Sequence, residues 1–90
     1  MDSKFRASLR SQGQVLEPYV MVGREGMTEG VIAALSEALF CHELVKVRFQ
    51  DHKEETRAIA SQMALATDSS LVGTVGFTAL FYKKNPDKKN

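Results

Sequence analysis

Gly23-Arg24-Glu25-Gly26 is the stretch whose residue types and spacing could do chemistry. Glycines tolerate positive φ and let a backbone approach a ligand with no Cβ in the way. A helix that begins just after such a turn presents unpaired N–H groups and a partial positive charge. Arg24 adds a planar, fork-shaped cation that matches an oxyanion. Together these features suit the binding of a phosphate. The stretch is not a P-loop, whose spacing is G-x-x-x-x-G-K-[ST], and it lacks the G-x-G-x-x-G of a dinucleotide site. Taken alone, a G-x-x-G quartet is short and common, and it most often marks only a tight turn.

Elsewhere the chemistry thins out. His42 and His52 have no partners at metal-ligand spacing, and one cysteine with two histidines makes no zinc pattern. Cys41 and His42 are adjacent, but adjacency does not bring a thiol and an imidazole into reach of one another. Both histidines read as capping or surface residues, and Cys41 as a small packing residue. The expectation is a protein that is not an enzyme, with no catalytic residue, no metal and no small-molecule cofactor.

The elements that must position the loop can be read around it. Asp2 or Ser3 can cap a first helix that runs to about Gln14, with Phe5 and Leu9 along one side. Gly13 weakens its last turn, and Pro18 keeps the preceding Glu17 out of a helix. Tyr19 to Val22 is wholly apolar and bounded by Pro18 and Gly23, which predicts a buried central strand. Thr28 is a candidate N-cap with Glu29 in the first turn, and Val31, Ile32, Leu35 and Leu39 recur at helical spacing to about Cys41. Leu44 to Phe49 then alternates, with Val45, Val47 and Phe49 on one face and Lys46 and Arg48 on the other. Asp51 and Glu54 resemble a capping box for a third helix over 53–67. Either Ala60, Met63, Ala64 and Thr67 or Ile59, Met63 and Ala66 make its apolar stripe. Two strands, 71–75 and 78–83, close tightly around Gly76-Phe77.

The order α-β-α-β-α-β-β predicts an α/β fold, a two-layer sandwich with a mixed four-stranded sheet. Its first two strands are parallel through a helical crossover, and its last two form an antiparallel hairpin. Residues 1–84 read as one domain and 85–90 as a polar, flexible tail.

Ninety residues with 43% apolar content can bury roughly 60% of the unfolded surface, enough for one modest core without a metal or disulfide staple. The lone cysteine suits a reducing compartment. There is no apolar run of bilayer length and no secretory h-region, so the expectation is a cytoplasmic protein with no membrane partner. The net charge of +1 hides segregation: residues 1–24 sum to +2, 25–43 to −4 through Glu25, Glu29, Glu37 and Glu43, and 83–90 to +3. Such a distribution permits a basic face opposite an acidic one.

The text around the loop carries a resemblance. Leu9-Arg10-Ser11, then Leu16, Pro18, Val20 and Val22, lead into Gly23-Arg24-Glu25-Gly26 and Thr28-Glu29-Gly30-Val31. With His42-Glu43-Leu44-Val45-Lys46-Val47-Arg48 and the segment Gly76 to Tyr82, they resemble the CRM domain. The likeness is to its stand-alone bacterial form, often called YhbY-like. That resemblance implies a fold similar to the C-terminal domain of bacterial translation initiation factor three. It also implies RNA binding and, for stand-alone members, association with precursors of the large ribosomal subunit (pre-50S particles) in ribosome assembly. The chain departs from the family pattern at Glu25, where a basic or polar residue is usual, and at Gly76-Phe77, where Gly-Arg is common. An exposed Phe77 could stack on a base instead.

The resulting expectation is a monomer that holds RNA, ribosomal RNA in particular, with the Gly23, Arg24, Glu25 and Gly26 loop. Lys4, Arg6, Arg10, Lys46, Arg48 and Lys83 extend the basic surface. Backbone amides and Arg24 carry the phosphate contact, and Glu25 turns aside. The competing expectation is a protein-interaction module that uses the acidic helix over 29–43 against a basic partner.

Overall fold

A computed structural model describes residues 2–84 of the chain. Asp2 caps α1 (Ser3–Gly13), its Oδ1 accepting the Phe5 N–H at 2.7 Å. β1 follows at Val20–Val22. Thr28 caps α2 (Glu29–His42) by accepting the Val31 N–H at 3.1 Å, with Glu29 on the positive end of the helix dipole. β2 spans Leu44–Phe49, a single 3-10 turn spans Lys53–Glu55, and α3 runs over Thr56–Thr67. The hairpin of β3 (Ser70–Val75) and β4 (Thr78–Tyr82) completes the chain of elements. The expected tail, 85–90, lies outside the described residues.

The strands form one mixed sheet in the order β1-β2-β4-β3, with β1 parallel to β2 and the other neighbours antiparallel. Alternation sorts the strand residues between two faces. Val20, Val22, Val45, Val47, Phe49, Ala79 and Phe81 meet Leu35, Leu39, Ala60 and Met63 of α2 and α3 in the main core. That pair of layers is the α/β sandwich expected from the element order. On the other face α1 lays Leu9 over Val72 and Leu80, so the first helix covers part of the sheet from the opposite side.

Two local expectations are corrected and a third is extended. β1 is an edge strand, not a central one. Its apolar run is the same text either way, because Val20 and Val22 enter the core while Met21 stays 47% exposed on the other face. Asp51 makes no capping box: its Oδ1 accepts the His52 N–H at 2.7 Å, His52 takes the left-handed conformation (φ 56), and the α-helix begins only at Thr56. Gly13 does more than loosen a helix end. A Cβ there would lie 2.6 Å from Leu80 Cδ2, so the missing side chain is what lets α1 sit down on β4.

Candidate nucleic-acid interface

The Gly23–Gly26 turn leaves the end of β1 and is tied on three sides. Gln50 N–H donates to the Val22 carbonyl at 2.8 Å, extending the β1–β2 pairing into the loop. Gly26 N–H closes the turn on the Gly23 carbonyl at 3.0 Å. Gly26 has φ +71, a left-handed conformation natural to glycine. Between them Arg24 and Glu25 are exposed. The third tie is His52, whose Nε2 lies 2.6 Å from the Arg24 carbonyl. A carbonyl only accepts, so the ring nitrogen is the donor. Two residues beyond Gly26, Thr28 starts α2, whose first-turn amides have no acceptor within the helix.

The strand register brings further groups to the same end of the sheet. Arg48 pairs with Met21 on one side and Thr78 on the other, and is exposed. Phe49 N–H donates to the Phe77 carbonyl at 2.7 Å, which pins the hairpin tip beside β2. Lys53 then places its ammonium 4.8 Å from the centre of the half-exposed Phe77 ring, within cation–π range. Segments 23–26, 48–53 and 77–78 therefore converge on one end.

The remaining residues singled out from the sequence are placed unevenly. Arg10 crosses the sheet at Gly73, where a Cβ would come within 3.1 Å of its Nε and Nη2. Lys46 is half-buried under α1, and its Nζ donates to the carbonyls of Gly13 (3.3 Å) and Leu16 (3.5 Å). Lys83 donates to the Thr67 carbonyl at 3.0 Å, at the end of α3. Lys4 and Arg6 lie in the first turns of α1, where Phe5 meets Tyr82 edge-on at 5.3 Å. That is the far end of the sheet from the loop, and Lys83 lies there too, beside the Glu43 carbonyl. Gly23, Arg24, Glu25, Gly26 and Arg48 are thus grouped, Arg10 and Lys46 adjoin them under α1, and the other three cations stand apart.

Sequence reasoning missed His52 and Lys53 as parts of this end. No spacing signal could have found His52, because its contact to Arg24 exists only once β1 pairs with β2. Its left-handed conformation is likewise invisible in residue types. His42, the other histidine, stacks on Tyr19 at 4.4 Å. Among the described residues no group of three or more His, Cys, Asp or Glu could hold a metal ion, and no helix is long and apolar enough to cross a membrane.

The family model described as the CRS1/YhbY (CRM) domain matches residues 1–83. The chain is 38% identical over 82 residues to PA4753 of Pseudomonas aeruginosa, named a probable RNA-binding protein, covering 90% of this chain and 79% of that one. It is 32% identical over 90 residues to YqeI of Bacillus subtilis, also named a probable RNA-binding protein, covering 99% and 94%. Its fold matches the solution structure of SAV1595 from Staphylococcus aureus with a TM-score of 0.85 at 27% identity, over 99% and 94% of the two chains.

Proposed function

The chain belongs to the CRS1/YhbY (CRM) domain family, and on that premise we propose that it binds RNA through the Gly23–Gly26 end of its sheet. The observation that carries the reading is the convergence of a glycine turn, a helix start and the exposed Arg24 and Arg48 on one edge. Relatives whose names state RNA binding support it. In this reading Arg24 offers a fork to a phosphate, and amides of the turn and of the α2 start other than those of Gly26 and Val31 supply further donors. Glu25, exposed beside Arg24, points its carboxylate to water. Such contacts fix the protein on a backbone without reading its sequence. Nothing in the site calls for turnover; its groups bind.

At finer grain, the partner is ribosomal RNA in precursors of the large ribosomal subunit. The protein acts there in assembly, as a cytoplasmic monomer. The resemblance of Leu9 to Tyr82 to stand-alone bacterial members of the family supports this step. The test is binding of the parent and Arg24→Glu proteins to structured large-subunit RNA, together with retention from a cell extract before and after nuclease. Loss of affinity in the variant and loss of retained particles after nuclease are expected. Equal affinity of the two proteins across salt concentrations would sink the loop assignment. Retention that survives complete RNA removal would move the function to the acidic face of α2, where Glu29, Glu37 and the 64%-exposed Phe40 face outward.

A further inference from the structure

The first helix stops short of the loop end of the sheet. Lys46, Leu80 and Gly73 form one row across β2, β4 and β3, and the end of α1 roofs it. Gly13 sits on Leu80, Arg10 lies against Gly73, and Lys46 reaches up to the Gly13 and Leu16 carbonyls. The next row on the same face, Met21–Arg48–Thr78–Val75, has no roof; Met21 is 47% and Val75 77% exposed. Where the roofed row meets the open one lies a cavity of about 270 Å³. Arg10, Gln14, Lys46, Gly73, Thr78 and Leu80 are among its lining residues.

Its size and chemistry select one kind of occupant. Sites for drug-sized ligands run from about 300 to 1,000 Å³, so this one suits a single planar ring system. Leu80 and Val75 provide an apolar floor. The guanidinium of Arg10, brought close to the sheet by the absent side chain of Gly73, provides a cationic plane of the kind that stacks on bases. Around the rim, an ammonium has three N–H groups and Lys46 directs two of its own to carbonyls, which leaves one for a ligand. Gln14 offers an amide donor and acceptor. Thr78 donates its hydroxyl hydrogen to the Val75 carbonyl at 2.8 Å and keeps oxygen lone pairs for accepting. Among the described residues no carboxylate lines the cavity, although the chain carries eleven Asp and Glu. Another depression of the surface, lined by Gln50, Asp51, His52, Lys53, Glu54 and Glu55, carries three carboxylates and one ammonium.

We propose that this cavity takes one unpaired nucleobase of the RNA whose phosphates run past Arg48 to the Gly23–Gly26 loop. The proposal rests on the RNA-binding reading and adds a base contact to it. Neighbouring strands stand about 4.8 Å apart, so about 10 Å separates Thr78 from Met21 and the loop strand. A short run of single-stranded backbone covers that distance.

The test uses the whole protein with two probes, a single-stranded oligouridylate and an abasic ribose-phosphate chain of the same length. One stacked base contributes enough to make the oligouridylate bind about tenfold more tightly. Val75 and Leu80 methyl resonances should shift with the oligouridylate and stay in place with the abasic chain. Gly73→Ala, whose Cβ would crowd the Arg10 guanidinium at 3.1 Å and shift it by a few tenths of an ångström, should lower the affinity ratio. Arg10→Ala, a change at an exposed helix position, serves as the second variant and should collapse the ratio. Equal binding of the two probes, or identical methyl shifts with both, overturns the base pocket and leaves the RNA reading standing. Failure of both probes to bind at low salt overturns both.

Discussion

Three guanidinium groups, those of Arg10, Arg24 and Arg48, lie at or beside the loop end, whereas the ammonium groups of Lys46 and Lys83 are directed at backbone carbonyls. If each of the three neutralises one phosphate of a single strand, the affinity falls with salt at a log–log slope of about −2.1, because each contact contributes about −0.7. Arg24→Ala should lower that slope to about −1.4. Over a fourfold rise in salt the parent then loses about 18-fold in affinity and the variant only about sevenfold. Fluorescence anisotropy of a labelled oligoribonucleotide, titrated at several salt concentrations, measures both slopes. A variant slope that stays near −2 would falsify the phosphate contact assigned to Arg24. A parent slope near −3.5 would show that two further cations, Lys53 at the loop end or the carbonyl-bound Lys46 and Lys83, join the contact.

Two further outcomes probe how the interface is held. His52→Ala removes the donor to the Arg24 carbonyl, a loss of about 1 kcal/mol in global stability. The Gly26 amide should exchange faster with solvent than the parent's by more than that global loss explains, and exchange rates equal after that correction mean the histidine does not hold the turn. Lys46→Met keeps the apolar stem but leaves the Gly13 and Leu16 carbonyls without their ammonium, about 1–2 kcal/mol of stability and roughly 4–8 °C in melting temperature per kcal/mol. An unchanged melting temperature with a shallower salt slope would reassign Lys46 from the α1 end to the RNA.

Much of this end could be read in residue types and spacing, and the limits have physical causes. Thr28 as a cap, α2 beyond it and β2 at Leu44–Phe49 follow from local hydrogen bonding and periodicity, and these the chain states plainly. The alternation of β2 put Lys46 and Arg48 on one face, yet they differ in kind. α1 descends over Lys46 and stops before Arg48, a packing fact that depends on Gly13 and Leu80 rather than on either cation. The edge position of β1 was hidden because three residues cannot show whether a strand has one neighbour or two. The link from His52 to Arg24 was hidden because it joins two turns that meet only through the parallel pairing of β1 and β2.

The strand order has a last consequence, for folding. The centre of the sheet is the β2–β4 pair, in which Lys46 faces Leu80 across more than a third of the chain. Contacts of such separation form only after a long loop has closed, late on the way to the native state. The segments that make the loop end come from β1, from the stretch after β2 and from the hairpin, so no partly folded fragment contains them all. A ligand gripping that end recognises only the native chain. At a free concentration a hundred times its Kd it would add about 2.7 kcal/mol to the stability of the whole fold. For so small a core, a bound partner is then also a folding cofactor, and the free and bound proteins differ most in how often they open.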